Sequence, residues 1–433
     1  MWAASFAALQ WSVVRFELLI VAVLVAATTA LAAWQWWRPG AWPLTSGSLS
    51  ATLALGALTT AVVPTFSYLP AGAERWSLGC LVLGSLAAAA AVRLPGRGPL
   101  LAALAGGAAY LVAAVTAIVT DRAPHIDVWV TLQQASDGLL RGQDMYAMTW
   151  TGSPGIKDAF TYLPWTVVLL APGRWLLGDV RWALLVWTLA AAAGVWRLAV
   201  RGRGAGSWPL ALGAVPLLLL APGTLTQVDQ AWTEPLLLAG LVWWAVLVRS
   251  GSARAAWWAV VPLALACASK QHLALLFPIL AVWRPFGFRR TVATTALAGA
   301  LVLPWFLAGP ADFVHDTVLL LISFHPIRFA NTLYLLALNR YGVTLPFWLT
   351  GVVVLGALAA VTWTVWRRQP PVGELLRWVA LLLLIANLVN KQAFYNQFWL
   401  SATLVAASLA ASEASAKDPA AMQPRERDDA VHR

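Results

Sequence analysis

The segment DRAPHIDVWV, residues 121–130, places two carboxylates, Asp121 and Asp127, and an imidazole, His125, directly after a long uncharged run. A carboxylate near a histidine is suited to general base catalysis, because the imidazole can hydrogen-bond to the carboxylate and shift its pKa. Two interpretations are open from these residues alone. One carboxylate is a catalytic base, or both mark the point where the chain returns to water. His125 serves either carboxylate or neither.

Several other ionisable residues stand out because charge is rare in this chain. Lys270 lies in the middle of the apolar stretch 255–283. An ionisable group within a membrane is costly and is therefore a functional candidate by default, although a lysine can also extend its charged end to the membrane surface. Asp229 and Glu234, in QVDQAWTE, are candidates for binding substrate hydroxyls or a cation. An Asp and a Glu five residues apart are weak evidence for a metal site, and we predict no metal and no cofactor.

The composition of the chain predicts a membrane protein. Of 433 residues, 60% are hydrophobic and only 11% are charged, whereas a water-soluble domain carries about 25% charged residues. Uncharged runs approach or exceed the roughly 20 residues that a helix needs to cross a bilayer. These runs are Leu18–Trp37, 51–73, Gly98–Thr120, 291–311, 341–366 and 392–412. We therefore predict an all-α polytopic membrane protein with about 11 to 13 crossings.

The distribution of charge predicts the orientation. The net charge is +11, but the arginines occur in groups at helix ends, as in cytoplasmic loops, so nucleic acid is not the expected partner. The intervening loops are acidic and are expected outside. Cys80 and Cys267 lie in apolar segments and predict neither a disulfide nor a metal framework. The arginine groups are Arg93/Arg97, Arg197/Arg201/Arg203, Arg249/Arg254, Arg284/Arg289/Arg290 and Arg367/Arg368.

Two long polar segments are expected on the outer face. In residues 121–162, apolar side chains recur at Val128, Leu132, Ala135 and Leu139, which predicts an amphipathic helix on the membrane surface that ends at Gly142. This helix would cover an intramembrane cavity. Residues 309–334 are expected to form a second interfacial segment over the same cavity. Within the apolar stretches, the segment 160–177 contains two prolines and is expected to lie along the interface or only to dip into the bilayer.

Three stretches together resemble glycosyltransferase family 87. IDVWVTLQQASDGLLRGQDMYAMTW followed by FTYLPW is similar to the motif Asp-x-x-Tyr/Trp … Leu-Leu-x-Gly-x-x-x-Tyr … Phe-x-Tyr-x-Pro of that family. ACASKQHLALLFP and NKQAFYNQFWL, with QVDQAWTE before them, are similar to its later landmarks. The resemblance covers residues 100 to 412 in order. About four apolar segments precede the first motif here, whereas these enzymes usually have one, and the role of the additional helices is unexplained.

The resemblance implies the GT-C fold and transfer of a sugar from a polyprenyl-phosphate donor. In that family the sugar is mannose and the acceptor a glycolipid or cell-wall glycan. Asp127 corresponds to the motif aspartate and would be the base, whereas Asp121 and His125 would contact substrate. The donor phosphate would lie at Lys270, Gln271, His272, Arg328 and Lys391. Residues expected to bind the rest of the substrates are Tyr146, Tyr162, Asp229, Glu234, His325, Gln392, Tyr395 and Asn396.

The resemblance also implies an organisation and a location. Residues 1–97 would be added transmembrane helices, residues 98–412 the catalytic module, with 121–162 as its first external loop, and residues 413–433 a disordered cytoplasmic tail. The protein would lie in a bacterial plasma membrane, in contact with membrane lipids, with an extracytoplasmic active site. A transporter or flippase for a lipid-linked sugar is the alternative, against which stands the absence of a visible inverted repeat.

Overall fold

The computed structural model describes residues 2–37, 44–201 and 209–411 and is all-α: the described residues form helices and loops and no strand. The predicted tail, residues 413–433, lies outside the described residues. The first helices are α1 (Trp2–Ser12), α2 (Leu18–Trp37), α3 (Ser46–Val62), α4 (Ala71–Ala91), α5 (Gly98–Thr120), α6 (Asp127–Leu140), α7 (Trp165–Leu177), α8 (Arg181–Val200), α9 (Ala214–Leu219), α10 (Thr224–Asp229) and α11 (Glu234–Val248). The remaining helices are α12 (Ala253–Trp258), α13 (Val260–Cys267), α14 (Phe277–Val282), α15 (Gly287–Ala308), α16 (Pro310–Val314), α17 (Leu320–Ser323), α18 (Leu333–Tyr341), α19 (Phe347–Arg368), α20 (Val372–Val389) and α21 (Tyr395–Ala411).

Six of the described helices are long and apolar enough to cross a bilayer, namely α2, α5, α8, α15, α19 and α20. Their 18 to 23 residues span about 30 Å at 1.5 Å per residue. The protein is therefore an all-α polytopic membrane protein, as its composition predicts. Shorter apolar helices, such as α3 and α11, lie between them. The count of 11 to 13 crossings stays a prediction, because these shorter helices cross only if the bilayer thins or if they combine.

The stretch 255–283, which is long for one helix and short for two, is a broken segment. Helix α13 ends at Cys267, a 3₁₀ helix occupies Gln271–Leu276, and α14 follows. Lys270 adopts an extended conformation between them, with φ −149° and ψ 123°. At the break, the Ala268 carbonyl accepts a hydrogen bond from the Trp165 amide and the Ser269 carbonyl accepts one from the Leu163 amide, both at 3.2 Å. In the same way, the segment 160–177 yields only the 13-residue helix α7, with Pro172 inside it.

The polar segment 121–162 contains the predicted amphipathic helix. Helix α6 buries Leu132 and Ala135 and is followed by Gly142, whose φ of +68° ends the helical path. Helix α6 also contacts α7 through a bidentate ion pair between the Arg174 guanidinium and the Asp137 carboxylate, with both N–O distances 2.8 Å. Helix α6, whose first residue is Asp127, is therefore held against α7.

The N-terminal helices pack directly against the rest of the chain. The Asn331 side chain accepts a hydrogen bond from the Glu17 amide at 3.0 Å and donates one to the Arg15 carbonyl at 2.7 Å. At the other end of α2, Gln35 accepts a 2.7 Å hydrogen bond from Arg377 of α20. Residues of the predicted added segment 1–97 thus contact the predicted module 98–412 at both ends of α2. The domain division itself stays a prediction.

Candidate active site

A cavity of about 1390 Å³ lies between the N-terminal helices, the start of α6, the break at Lys270 and the segments before α18 and α21. One part of its wall is polar and is formed by loops, and another part is apolar and is formed by α2, α19 and α20. Ten of the sixteen predicted site residues line it, although the sequence separates them widely. They are His125, Asp127, Tyr162, Lys270, Gln271, His272, His325, Lys391, Gln392 and Tyr395.

Asp127 is the first residue of α6, so its carboxylate lies at the positive end of the helix dipole. Its Oδ1 accepts a hydrogen bond from the amide of Val128 at 2.8 Å, and its Oδ2 faces the amide of Ile156 at 3.4 Å. Gly155 lies against the carboxylate so closely that a Cβ at position 155 would overlap Oδ2 and lie 2.8 Å from Cγ. The loop 151–158 thus covers one side of Asp127 and leaves another side facing the cavity.

Lys270 forms a buried ion pair with Glu234, the first residue of α11. The Glu234 side chain is fully buried and its second oxygen, Oε2, has no hydrogen-bond partner among the described residues. The Lys270 ammonium also lies 5.4 Å from the centre of the Tyr162 ring, within cation–π range. Glu234 does not line the cavity. Glu234 therefore positions Lys270 and balances its charge, and of the two residues Lys270 alone lines the cavity.

Gln271 and Tyr146 hold the loop that carries Tyr162. The Gln271 amide nitrogen donates to the carbonyls of Thr161 at 3.2 Å and Thr317 at 3.1 Å, which uses both of its protons. The Tyr146 hydroxyl donates to the Tyr162 carbonyl at 3.0 Å. Tyr146 is buried outside the cavity wall, and burial raises the pKa of its hydroxyl well above the usual range. These contacts give both residues a structural part in the site.

Lys391 lies at a second polar corner of the cavity. Its ammonium donates to the carbonyls of Ile322 at 2.7 Å and Phe324 at 2.5 Å, which leaves one of its three protons and its full charge for a ligand. Burial lowers the pKa of this ammonium. His325 stacks on Phe324, with ring centres 4.4 Å apart, and is exposed to the cavity. The segment 309–334 therefore does contribute to the same cavity, through residues between 320 and 334.

Asp121 and Asp229 lie outside the cavity wall, in a buried network around Arg181. Arg181 is fully buried, pairs with Asp179 at 2.7 Å and donates to the backbone carbonyl of Asp121. Burial raises the pKa of the Asp121 carboxyl. Asp229 accepts a 2.9 Å hydrogen bond from Ser67, and burial raises the pKa of its carboxyl to about 6. Asp229 is buried, and Asp121 is half-buried like Asp127 but, unlike Asp127, does not line the cavity.

Three further predicted residues lie around α18 and α21. Arg328 is exposed and does not line the cavity, and its backbone carbonyl accepts from Asn339 at 2.7 Å. Tyr395 is buried, and its hydroxyl donates to the Pro222 carbonyl at 3.1 Å. Asn396 is buried next to it and outside the cavity wall, with its Oδ1 unpartnered among the described residues. The structure thus separates Arg328 from the two lysines with which the resemblance groups it.

Several cavity residues carry no signal in the sequence. Lys157 and Asp158 lie in a loop that reads as a flexible connector, and Phe66 and Tyr68 belong to the N-terminal segment whose role is unexplained. These residues lie in the same cavity as Asp127 because loops that are distant in sequence pack together. Spacing along the chain does not encode such packing. Among the described residues, no group of three His, Cys, Asp or Glu could hold a metal ion.

The fold and the site define a class: an all-α polytopic membrane protein with a large cavity that is lined by the aspartates Asp127 and Asp158 and by the lysines Lys157, Lys270 and Lys391. Comparisons with protein families, with curated proteins and with solved structures find no match for this chain.

Proposed function

We propose that this protein is a membrane glycosyltransferase. It transfers a sugar, mannose in the first instance, from a polyprenyl-phosphate donor to a hydroxyl of a glycolipid or cell-wall glycan. The observation that carries the proposal is that Asp127, Lys270 and Lys391 share one cavity whose remaining wall is largely apolar. A base, cations and an apolar wall are what a lipid-phosphate-linked sugar requires. The site would lie on the extracytoplasmic face of a bacterial plasma membrane, as the arginine groups predict.

The reaction needs one base and no acid. The acceptor oxygen attacks the anomeric carbon, its proton passes to the Asp127 carboxylate, and the bond from the anomeric carbon to the phosphate oxygen breaks. The electron pair of that bond leaves with the polyprenyl phosphate, which is stable as an anion. A single displacement of this kind inverts the anomeric centre, by the same geometry as in inverting glycosidases with an alcohol in place of water.

The two lysines would contribute in different ways to binding the phosphate. Lys270 is paired with Glu234, so that pair contributes hydrogen bonding without net charge. Among the described residues, Lys391 donates only to carbonyls and keeps its positive charge. Lys391 is therefore the main electrostatic partner that we propose for the leaving phosphate, and Lys270 a fixed donor near Tyr162.

The test uses purified full-length protein in lipid nanodiscs with radiolabelled polyprenyl-phosphate-mannose and a membrane-lipid acceptor pool. We expect a labelled glycolipid from the wild type. Asp127→Asn removes the base and should lower the rate by about 10²- to 10⁴-fold while the melting temperature is kept. An Asp127→Asn variant with full activity would refute the base. If no lipid-linked sugar is transferred but labelled donor crosses the bilayer of reconstituted vesicles, the protein is a flippase instead.

A further inference from the structure

The loop between α3 and α4, residues 63–70, is part of the cavity wall. Phe66 and Tyr68, which are both half-buried, line the cavity together with His125 and Asp127. Neither aromatic residue has a part in the chemistry described above. Their position beside the proposed base raises the question of what they bind.

Four side-chain hydrogen bonds hold this loop in place. Gln10 of α1 donates to the Val63 carbonyl at 2.7 Å and contacts the Thr65 hydroxyl at 2.6 Å. Ser67 donates to Asp229 at 2.9 Å, and the Gln230 side chain donates to the Phe66 carbonyl at 3.2 Å. All of these partners are at least 53 residues away in sequence. A loop fixed by distant buried partners presents its aromatic rings in one arrangement, which is a requirement for a binding surface.

The aromatic rings form a continuous edge-to-face series that reaches the proposed base. The Phe66 and Tyr68 rings have centres 5.1 Å apart at 81°, and the Tyr68 and His125 rings have centres 6.5 Å apart at 81°. His125 is two residues before Asp127. Ring faces of this kind pack against the apolar C–H face of a sugar, and the tyrosine hydroxyl adds a polar group at the edge.

The charge around Tyr68 restricts the ligand to a neutral one. Burial raises the pKa of the Tyr68 hydroxyl, and the carboxylates of Asp127, Asp229 and Asp121 raise it further. A phosphate would be repelled by these three carboxylates. Lys270 and Lys391 also line the cavity, but neither ammonium group is among the charges that act on the Tyr68 hydroxyl. The anionic donor would therefore bind at the two ammonium groups, and a neutral acceptor beside Tyr68 and Asp127.

We propose that Phe66, Tyr68 and His125 form the acceptor subsite and bind a neutral, uncharged sugar ring of the acceptor next to Asp127. This inference rests on the proposed function. It gives the N-terminal helices a role, because α3 and α4 carry the loop. The acceptor class that it names is a glycoside with a neutral terminal sugar, rather than a phosphorylated or carboxylated one.

The test separates acceptor binding from donor binding in full-length protein in nanodiscs. Tyr68→Ala should raise the KM for a neutral glycolipid acceptor by roughly three- to tenfold and leave the KM for the polyprenyl-phosphate sugar unchanged. Tyr68→Phe keeps the ring and should lie between Tyr68→Ala and wild type. Tyr341→Ala, at an exposed tyrosine outside the cavity, is the matched control and should leave both constants unchanged. An unchanged acceptor KM in folded Tyr68→Ala, or an equal rise in donor KM, would overturn the subsite.

A binding measurement distinguishes failure of the subsite from failure of the proposed function. Saturation-transfer NMR with a neutral alkyl mannoside and an alkyl phosphate, added to wild type and Tyr68→Ala, reports binding without turnover. Loss of the mannoside signal alone in Tyr68→Ala supports the subsite even if wild type transfers no sugar. If wild type transfers sugar but its mannoside signal does not depend on Tyr68, the subsite is wrong and the proposed function stands.

Discussion

Gly155 offers a way to displace Asp127 without changing its chemistry. An alanine Cβ at position 155 would overlap the Asp127 Oδ2 and lie 2.8 Å from Cγ and 3.1 Å from Cβ of the same side chain. Ordinary van der Waals contact for a Cβ begins at 3.4 Å. The carboxylate must therefore move by about 1 Å or rotate away. Gly155 does not have a positive φ, so alanine adds no backbone strain of its own.

The size of the effect follows from the displacement. A misplacement of about 1 Å in a reacting group can cost about 100-fold in rate. We expect Gly155→Ala to lower kcat for sugar transfer by roughly that factor and to change the melting temperature little. In the double variant Asp127→Asn/Gly155→Ala the second substitution should add nothing, because the base is already absent.

The matched control is Gly152→Ala in the same loop. Gly152 has a φ of +76° and no neighbour within 4 Å of an added Cβ, so this change strains the loop without contacting Asp127. It should cost about 1 kcal/mol of stability and leave kcat near the wild-type value. Transfer by folded Gly155→Ala at the wild-type rate, or additive losses in the double variant, would refute the proposed role of Asp127.

Three further predictions concern buried groups. Lys270→Met leaves the buried Glu234 carboxylate uncompensated and should lower the free energy of unfolding by about 3–5 kcal/mol. Adding Glu234→Gln should restore the melting temperature but not the donor KM. A Lys270→Met variant as stable as wild type would contradict the buried ion pair. Burial raises the pKa of Asp229 to about 6 from its usual 3.8, so the folded state binds a proton that the unfolded state releases. The free energy of unfolding should then rise as pH falls through 6 toward 3.8, by up to about 3 kcal/mol. Asp229→Asn should show a smaller pH dependence of the melting temperature. An unchanged pH dependence in this variant would rule Asp229 out as its source. Gly223→Ala, at φ +80°, places a Cβ 2.5 Å from the Tyr395 hydroxyl and 2.9 Å from Cζ of the same ring, and should lower the melting temperature. Tyr395→Phe in that background removes the closest contact and should recover part of the loss, and no recovery would mean that the hydroxyl contact is not its source.

The local features of the fold could be predicted from the sequence. The uncharged run Gly98–Thr120 is helix α5, and the predicted apolar stripe lies on helix α6, where Leu132 and Ala135 are buried and Val128 and Leu139 are half-buried. Both signals depend only on the helical period and on charge, which act over a few turns. The sequence indicates the break at Lys270 only through the length of the stretch 255–283, which is long for one helix and short for two.

The pairings between distant segments could not be predicted. Glu234 begins α11 and Lys270 lies in the break after α13, 36 residues further along the chain, and the resemblance assigns one to a sugar and the other to a phosphate. In the structure the two form one pair. The same holds for Phe66 and Tyr68, whose loop is held at the cavity by hydrogen bonds to the distant residues Gln10, Asp229 and Gln230. Spacing along the chain carries no information about such contacts, which depend on how the helices pack.

The structure distinguishes the two carboxylates of DRAPHIDVWV, and this distinction can be tested directly. Asp121 lies outside the cavity, its backbone carbonyl accepts from Arg181, and its Oδ1 accepts from the Ala123 amide at 3.3 Å. Asparagine at position 121 keeps the carbonyl and an amide oxygen, and removes a charge that burial disfavours. We expect Asp121→Asn to transfer sugar within about threefold of wild type, less than 1 kcal/mol of lost transition-state binding, with a melting temperature at pH 7 that is not lowered. Asp127→Asn, which removes the carboxylate that faces the cavity, should lose at least about 100-fold. If Asp121→Asn loses activity to the same extent while folded, the base is Asp121 or the two carboxylates act together, and the assignment that rests on access to the cavity fails.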